Sequence, residues 1–379
     1  MIKELLFFSI GDSNSLSTWS NVPFFFAKTL EKHGIIVHRY NLAQQEKTSI
    51  LLLYKIWFKI LRYIYPNHVQ NYRRTRNFKK QAFNIIKQAV SEHPNVDCCL
   101  FMGYDFYNKF SAIPTVLFSD WTSDMYFERV KRRAYWFEKR YVKQQSTAIE
   151  HASLVFSLFE ICAKELQTKH PKIPICFLGK NVINAFQDPN EQIVKEKKSG
   201  KILFIGGRKY INGAKALLAA FNLIAKDNPQ MTLHIIGMQE KLFPDMRYDA
   251  NKVHFYGYLR KDVEAEMNLY YKLLSTAQIF VNPSPQWGGY SSTIEAMYFY
   301  TPIIVSPYEE FVNEFGEKLN FGLYVNDTID SLAKSIISIV QNPNYTKLCF
   351  NAHEQVSQYT WSHYIEKFLY SVNNVFYKE

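Results

Sequence analysis

Short, mostly apolar runs, many of which stop at a glycine or at Asn-Pro and hand over to a helical pattern, recur along this chain. They constrain its fold more than any other feature. One series covers residues 5–10, 35–40, 96–102, 115–119, 154–158 and 175–178; a second covers 201–205, 232–236, 254–256, 279–281 and 303–306. Runs this short and this rich in apolar residues read as buried strands, the signature of parallel sheets flanked by helices. The expected architecture is therefore α/β and doubly wound, with ligands outside the carboxyl ends of the strands. The polar stretch 186–200, FQDPNEQIVKEKKSG, separates the two series and reads as a linker between a domain over 1–185 and another over 201–360. At 379 residues two domains are also the expectation from length.

The most informative unit is 278–311, QIFVNPSPQWGGYSSTIEAMYFYTPIIVSPYEEF, which reads as strand, glycine-bearing loop, helix, strand. Ser291 or Ser292 is expected to cap a helix over 293–300 that Thr301-Pro302 ends. A loop of free backbone N–H groups feeding a helix N-terminus suits an anion, because the dipole and the unpaired donors point the same way. Glu295 follows one turn in. A phosphate on the loop and a sugar hydroxyl on Glu295 would fit a nucleotide-diphosphate ligand; the alternative is an ordinary βαβ unit with Glu295 in solvent.

Two further loops fall at carboxyl ends of expected strands. The hydroxyl-rich loop 11–22, with Gly11, Ser17 and Trp19, follows the first strand and precedes a helix ending near Gly34. Asp120 follows the strand 115–119, where it is placed either for a cleft or to cap the next helix, expected over 123–146.

Charge is one-sided. Residues 1–190 hold 26 Lys and Arg against 15 Asp and Glu, whereas 191–379 hold 19 of each. An anionic partner for the first half follows: a membrane surface, a phosphorylated acceptor or nucleic acid. Residues 47–90 contain ten Lys and Arg and no acid. Within a helix expected over 49–65, Lys55, Lys59 and Arg62 share one stripe, with Leu51, Leu52, Ile56, Trp57, Phe58, Ile60 and Ile64 around the rest. A wide apolar face, a narrow basic one and a tryptophan fit a helix lying in the plane of an anionic membrane surface, with 49–80 as the contact segment. The aromatic residues follow the helix rather than a base-stacking platform, so no nucleic-acid partner is expected. No apolar run is long enough to span a bilayer, and residues 1–15 do not read as a signal peptide. Five cysteines without CxxC spacing read as buried thiols of a reducing compartment. The histidines show no metal-site spacing and there is no Asp-x-Asp pair, so no metal and no cofactor is expected.

With these residues laid out, the chain resembles glycosyltransferase family 4 over nearly its whole length. FIGGRKYINGAKALLAAF (204–221) is similar to the family's phosphate-binding segment, VHFYGYLRKDVEAEMNLYYKLLSTAQIFVNPS (253–284) to the approach to the donor site, and STIEAMYFYTPIIVS (292–306) to the donor-site helix and exit strand. SLSTWSNVPFFFAKTLEKHG (15–34) is similar to the acceptor-side loop and first helix, with Gly11, Ser17 and Trp19 on the acceptor side. YTWSHYIEKFLYSV is like the helix that crosses back to the first domain, here 361–379. The resemblance implies a GT-B fold, two Rossmann-like domains facing across a cleft. It implies a metal-independent, retaining hexosyltransferase using a nucleotide-diphosphate sugar. The combined expectation is a cytoplasmic enzyme, peripheral on the inner face of the cell membrane. It would act on a lipid-linked or glycan acceptor in cell-surface polysaccharide synthesis. The rival is a non-catalytic GT-B subunit that binds a nucleotide sugar or envelope glycan.

A departing diphosphate gathers negative charge that cations and amides must stabilise. Arg208 matches the family's phosphate-contacting arginine; Asn212-Gly213 stands where its lysine is usual, with Lys209 or Lys215 as substitutes. Gly289 and the amides of Tyr290, Ser291 and Ser292 match the diphosphate cradle, Glu295 the ribose-binding glutamate, and Tyr258 the base-packing position. The sequence departs from the family pattern twice. Trp287 stands eight residues before Glu295, where members often carry a sugar-contacting glutamate; it can stack on a sugar but not accept its hydroxyls. Asp120 stands where many members carry a histidine, placed to orient the donor sugar or to accept the acceptor's proton.

Overall fold

The computed structural model describes residues 1–43, 48–179, 182–197, 199–284, 290–326 and 328–377. The chain divides into two compact units: Met1–Lys180 with Trp361–Glu379, and Asn181–Thr360.

The first unit is built on β1 (Glu4–Ser9), β2 (Ile36–Asn41), β3 (Cys98–Met102), β4 (Thr115–Ser119), β5 (Leu154–Ser157) and β6 (Ile175–Phe177). They form one parallel sheet in the order β2-β1-β3-β4-β5-β6. β1, β3, β4 and β5 are buried at nearly every position, as continuous apolar runs require. The helix Trp361–Phe376 belongs to this unit and packs on the helix Val22–Lys32. Phe26 is the junction, fully buried with its ring centroid 5.0 Å from both Phe118 and Phe368 and 5.6 Å from Trp361. Burying one such ring contributes roughly 1.5–3 kcal/mol, and the edge-on pairs add to it.

The second unit carries β7 (Lys201–Ile205), β8 (Thr232–Ile236), β9 (Val253–Gly257), β10 (Ile279–Asn282), β11 (Ile303–Val305) and β12 (Gly322–Tyr324). Its sheet is again parallel, in the order β12-β11-β10-β7-β8-β9. β12 has three residues and no apolar run of its own to announce it. Gly322 opens it because a Cβ there would lie 2.2 Å from the Ile303 carbonyl oxygen.

The stretch 186–200, read as a linker, falls within the second unit. Lys197 is fully buried, and its ammonium donates to the carbonyls of Leu274 and Ala277 and to Thr301 Oγ1 at 2.8–3.1 Å. Burial pushes this lysine down to about 7.

The single helix expected over 123–146 is two, Ser123–Arg129 and Lys139–Glu150. Lys131 adopts a left-handed φ of 51°, and the chain then turns so that Arg132 and the Tyr135 amide reach the fully buried Glu138 carboxylate. The Val69 amide supplies a further donor at 2.8 Å. Burial alone would raise the Glu138 carboxyl, but Arg132 and the two amides outweigh it and hold it below the usual range.

In the helix Thr48–Ile64, Tyr54 packs on Tyr72 and accepts from Asn77, Phe58 stacks on Tyr54, and Leu61 is buried. Leu52, Leu53, Ile56, Trp57, Ile60, Tyr63 and Ile64 are 50–92% exposed, beside exposed Lys55, Lys59 and Arg62. Of the apolar residues expected on its wide face, Leu51 and Phe58 are half-buried, and Leu52, Ile56, Trp57, Ile60 and Ile64 are exposed.

Candidate functional site

Each sheet has a topological switch point, where successive connections leave in opposite directions along the sheet. In the second unit it lies between β7 and β10, and in the first between β1 and β3. Crevices open at such points because neighbouring loops diverge.

Around the second unit's switch point, three glycine turns are tied side by side. The Gly206 amide donates to Ile236, the Gly237 amide to Gly257, and the Gly257 amide to Met238. Gly237 has φ +95°, and a Cβ on it would meet the Gly206 carbonyl at 2.6 Å, so only glycine lets these loops approach. Arg208 and Lys209 sit on the short helical turn Arg208–Tyr210 and are exposed; Lys209 Nζ lies 4.7 Å from the Tyr210 ring centre. Lys215 is half-buried on the following helix Ile211–Ile224. Gly213 in that helix is a contact point: a Cβ would fall 2.1 Å from Ser284 Oγ, just past β10.

The helix Ser291–Tyr298 begins beside β7, with Ser292 Oγ donating to the Ile205 carbonyl at 3.4 Å. Its N-cap is Tyr290, which makes no side-chain cap, so neither serine caps the helix as expected. Both lie in the first turn, where backbone N–H groups have no partner within the helix. The ring of Tyr290 turns inward against Phe311 and Phe315, leaving its amide as its polar contribution to the loop. Gly289 and Trp287 lie outside the described residues. Tyr258 is 70% exposed directly after β9.

Glu295 is not a solvated helix residue. It is buried, with Oε1 2.6 Å from Lys261 Nζ and Oε2 accepting from the Tyr270 hydroxyl at 2.7 Å. Lys261 also donates to the Asn184 carbonyl and lies 4.5 Å from the Tyr270 ring centre. Burial and the Glu295 charge hold the Tyr270 phenol well above its usual value, so it remains a donor. The sequence reading missed Lys261 and Tyr270, which precede Glu295 by 34 and 25 residues and meet it only in the fold.

In the first unit a recess of about 370 Å³ opens at the β1/β3 switch point. Thr18 and Trp19 line one side, and Trp19 opens a run with Ser20 and Asn21 of three successive left-handed φ values of 37°, 53° and 73°. Non-glycine residues there cost of order 1–3 kcal/mol each and persist only where the surroundings hold them. Thr18 Oγ1 donates to the Asp12 carbonyl at 2.7 Å, and Gly11, at φ +120°, leaves room for Thr18 that a Cβ would take. Trp19 packs on Phe118 and lines the recess, while Ser17 is exposed and paired with Ser15. Arg73, Arg74 and Tyr141 line it from elsewhere in the unit.

Asp120 sits half-buried at the carboxyl end of β4, accepting from the Trp121 amide at 2.8 Å and from Ser119 Oγ at 3.3 Å. It does not cap the next helix; Thr122 does, accepting from the Met125 amide. Elsewhere in the unit, Glu4, His38 and His93 bring ligand atoms within 4.8 Å of one another, a grouping from β1, β2 and a helix end that spacing along the chain cannot reveal.

Two Rossmann-like units in one chain are the GT-B fold, and the solved structures agree. The chain is similar to sucrose-phosphate synthase from Thermosynechococcus elongatus, with a TM-score of 0.68 at 14% identity over all of both chains. It is similar to WaaG, a glycosyltransferase involved in lipopolysaccharide biosynthesis, with a TM-score of 0.64 at 14% identity, again over all of both. It also resembles TarM of S. aureus, solved with fondaparinux, alpha-GlcNAc-glycerol and UDP. There the TM-score is 0.57 at 17% identity, over 78% of this chain and 59% of TarM. No curated protein matches it in sequence. Residues 199–342 match the family model described as Glycosyl transferases group 1. The chain thus has the GT-B fold, and its second unit carries a segment that matches the group 1 glycosyl transferase model.

Proposed function

We propose that this protein is a retaining glycosyltransferase. It moves a hexose from a nucleotide-diphosphate sugar to a lipid-linked or glycan acceptor in cell-surface polysaccharide synthesis, with no metal. The observation that carries the donor assignment is the β7/β10 switch point, where exposed Arg208 and Lys209 stand beside the open N-terminus of the helix Ser291–Tyr298. Cations and free amides stabilise the departing diphosphate. Glu295 holds the ribose through lone pairs left after Lys261 and Tyr270 are served, since each carboxylate oxygen accepts twice. Lys261 and Tyr270 are its positioning residues, and Tyr258 packs on the base. Trp287 and Gly289 complete the donor side. Asp120 orients the donor sugar or takes the acceptor's proton.

The exposed apolar and basic faces of the helix Thr48–Ile64 support work at the cytoplasmic face of an anionic membrane. Among the described residues no helix is long and apolar enough to cross one. A second reading, binding of a nucleotide sugar without turnover, is favoured by the internal pairing of both Glu295 oxygens. A panel of nucleotide sugars, assayed for hydrolysis and transfer with the product anomer read by NMR, tests the proposal. Transfer with retention supports it; tight donor binding without turnover under any acceptor supports the second reading instead.

A further inference from the structure

Glu4, His38 and His93 meet toward the amino end of β1, away from the end where the recess opens. Glu4 opens β1, His38 lies in β2, and His93 ends the helix Arg76–Glu92 as its C-cap. Glu4 pairs with Ile36 and Leu6 with His38, so the side chains of Glu4 and His38 leave the same face of the sheet. The backbones that carry the three are held. Asp97 accepts from the Lys3 and Glu4 amides at 2.7 and 3.0 Å and from the Tyr377 hydroxyl at 2.6 Å, and the His93 amide donates to the Ala89 carbonyl at 3.0 Å. His38 Nε2 lies 2.6 Å from Glu4 Oε1, and the His38 and His93 rings stand 3.7 Å apart, centre to centre. All three residues are half-buried. Tyr40 meets the His93 ring edge-on at 6.3 Å, and its hydroxyl donates to Glu92 at 2.8 Å. Arg39, between His38 and Tyr40, points to the other face and is held by Glu31. A histidine–carboxylate pair accounts for Glu4 and His38. It leaves His93, whose ring nitrogens have no hydrogen-bond partner among the described residues.

We propose that these three side chains form a structural site for a divalent transition-metal ion, zinc above all. Their donor atoms all lie within 4.8 Å of one another. Zinc holds nitrogen and oxygen ligands at about 2.0–2.2 Å, so side-chain rotations that move those atoms by about an ångström close them on one ion. The ion replaces the proton shared by His38 Nε2 and Glu4 Oε1, and water completes four ligands. Two imidazoles and one carboxylate suit zinc, whereas magnesium and calcium take oxygen ligands. Glu92 adds a second carboxylate beside His93. β2 is the edge strand and is bonded to β1 alone. An ion on this site ties that strand and the end of the helix Arg76–Glu92 to β1. The site stands at the other end of β1 from the recess, and it does not depend on the glycosyltransferase reading.

The test is calorimetry on the whole chain, stripped of metal with a chelator, using zinc chloride and magnesium chloride as probes. The expected result is one zinc ion per chain, bound at least a hundredfold tighter than magnesium. Zinc at a hundredfold excess over its dissociation constant should raise the melting temperature by about 5 °C. His38→Ala, His93→Asn and Glu4→Gln should each weaken zinc about tenfold or more and remove most of that rise. His93 is half-buried at a helix end, so its variant keeps the fold if His38→Ala does not. Cobalt in place of zinc reports the ligands by absorption. Visible bands without a thiolate charge-transfer band support nitrogen and oxygen ligation. A thiolate band would assign the ion to a cysteine elsewhere and overturn the proposal. Unchanged zinc affinity in His93→Asn, or no saturable zinc binding by the unaltered chain, overturns it as well.

Discussion

The carboxyl ends of the two sheets are built alike and charged differently. Both place glycine turns beside a switch point between diverging loops. In the second unit the polar framework is closed on itself: three loops share backbone hydrogen bonds, and Glu295 is satisfied by Lys261 and Tyr270. What remains open there is backbone amides and two exposed cations. In the first unit the framework is left open. A strained turn and two arginines without ion-pair partners among the described residues face a recess. A closed framework suits a ligand recognised by a fixed diphosphate geometry. An open, side-chain-built one, on a segment rich in lysine and arginine, suits a ligand that differs from one enzyme to the next.

The largest expected effect breaks the closed framework. Glu295→Ala leaves the Lys261 ammonium buried without its carboxylate, a loss of roughly 3–5 kcal/mol in denaturant unfolding. The double variant with Lys261→Met should recover part of that stability but none of the donor affinity. Recovery of both would reduce Glu295 to a structural residue.

Gly213→Ala comes next. Its Cβ would sit 2.1 Å from Ser284 Oγ, and moving the helix or the loop after β10 costs about 1–3 kcal/mol. Ser284→Gly should rescue it, and failure to rescue would mean that the helix rather than the serine sets the limit.

Lys197 gives a pH signature confined to the second unit. Its folded value is near 7 and its ordinary value 10.5, so between those limits the unfolded chain binds the extra proton. Its contribution therefore rises with pH across that window, by up to about 1.4 kcal/mol per unit. Lys197→Met should flatten the slope, which urea unfolding at several pH values would show. An unchanged slope would mean the ammonium stays charged among its three acceptors.

The smallest effect on folding belongs to the outer face of the helix Thr48–Ile64. Trp57→Ser with Ile60→Ser should change stability by within about 0.5 kcal/mol, since both residues are more than half solvated or nearly so. Flotation with phosphatidylglycerol vesicles at low salt should nevertheless fall sharply. Equal flotation would leave that face without a role at a membrane.

The same comparison explains what was legible in the sequence. Eleven of the twelve strands were legible as short, mostly apolar runs, most plainly β1, β3, β4 and β5, which are buried on both faces. The loop at Arg208 and the helix at Glu295 are local features, and their placement at one switch point follows from the order of the runs. Lys261 and Tyr270 were invisible because their partner lies 25 or more residues away. The break between Ser123–Arg129 and Lys139–Glu150 was invisible because it serves Glu138, whose partners include the distant Val69 amide. Arg73 and Arg74 fall in the acid-free segment 47–90, and only the fold shows them lining a recess.

The central claim is that the second unit holds the donor at the β7/β10 switch point. Isothermal titration of the UDP-sugar that most raises the melting temperature, against the whole chain and against Arg208→Ala, tests it most directly. The account predicts at least a tenfold loss of affinity in the variant with the melting temperature of the free protein unchanged, because Arg208 is exposed. Equal affinity in the two proteins would contradict it.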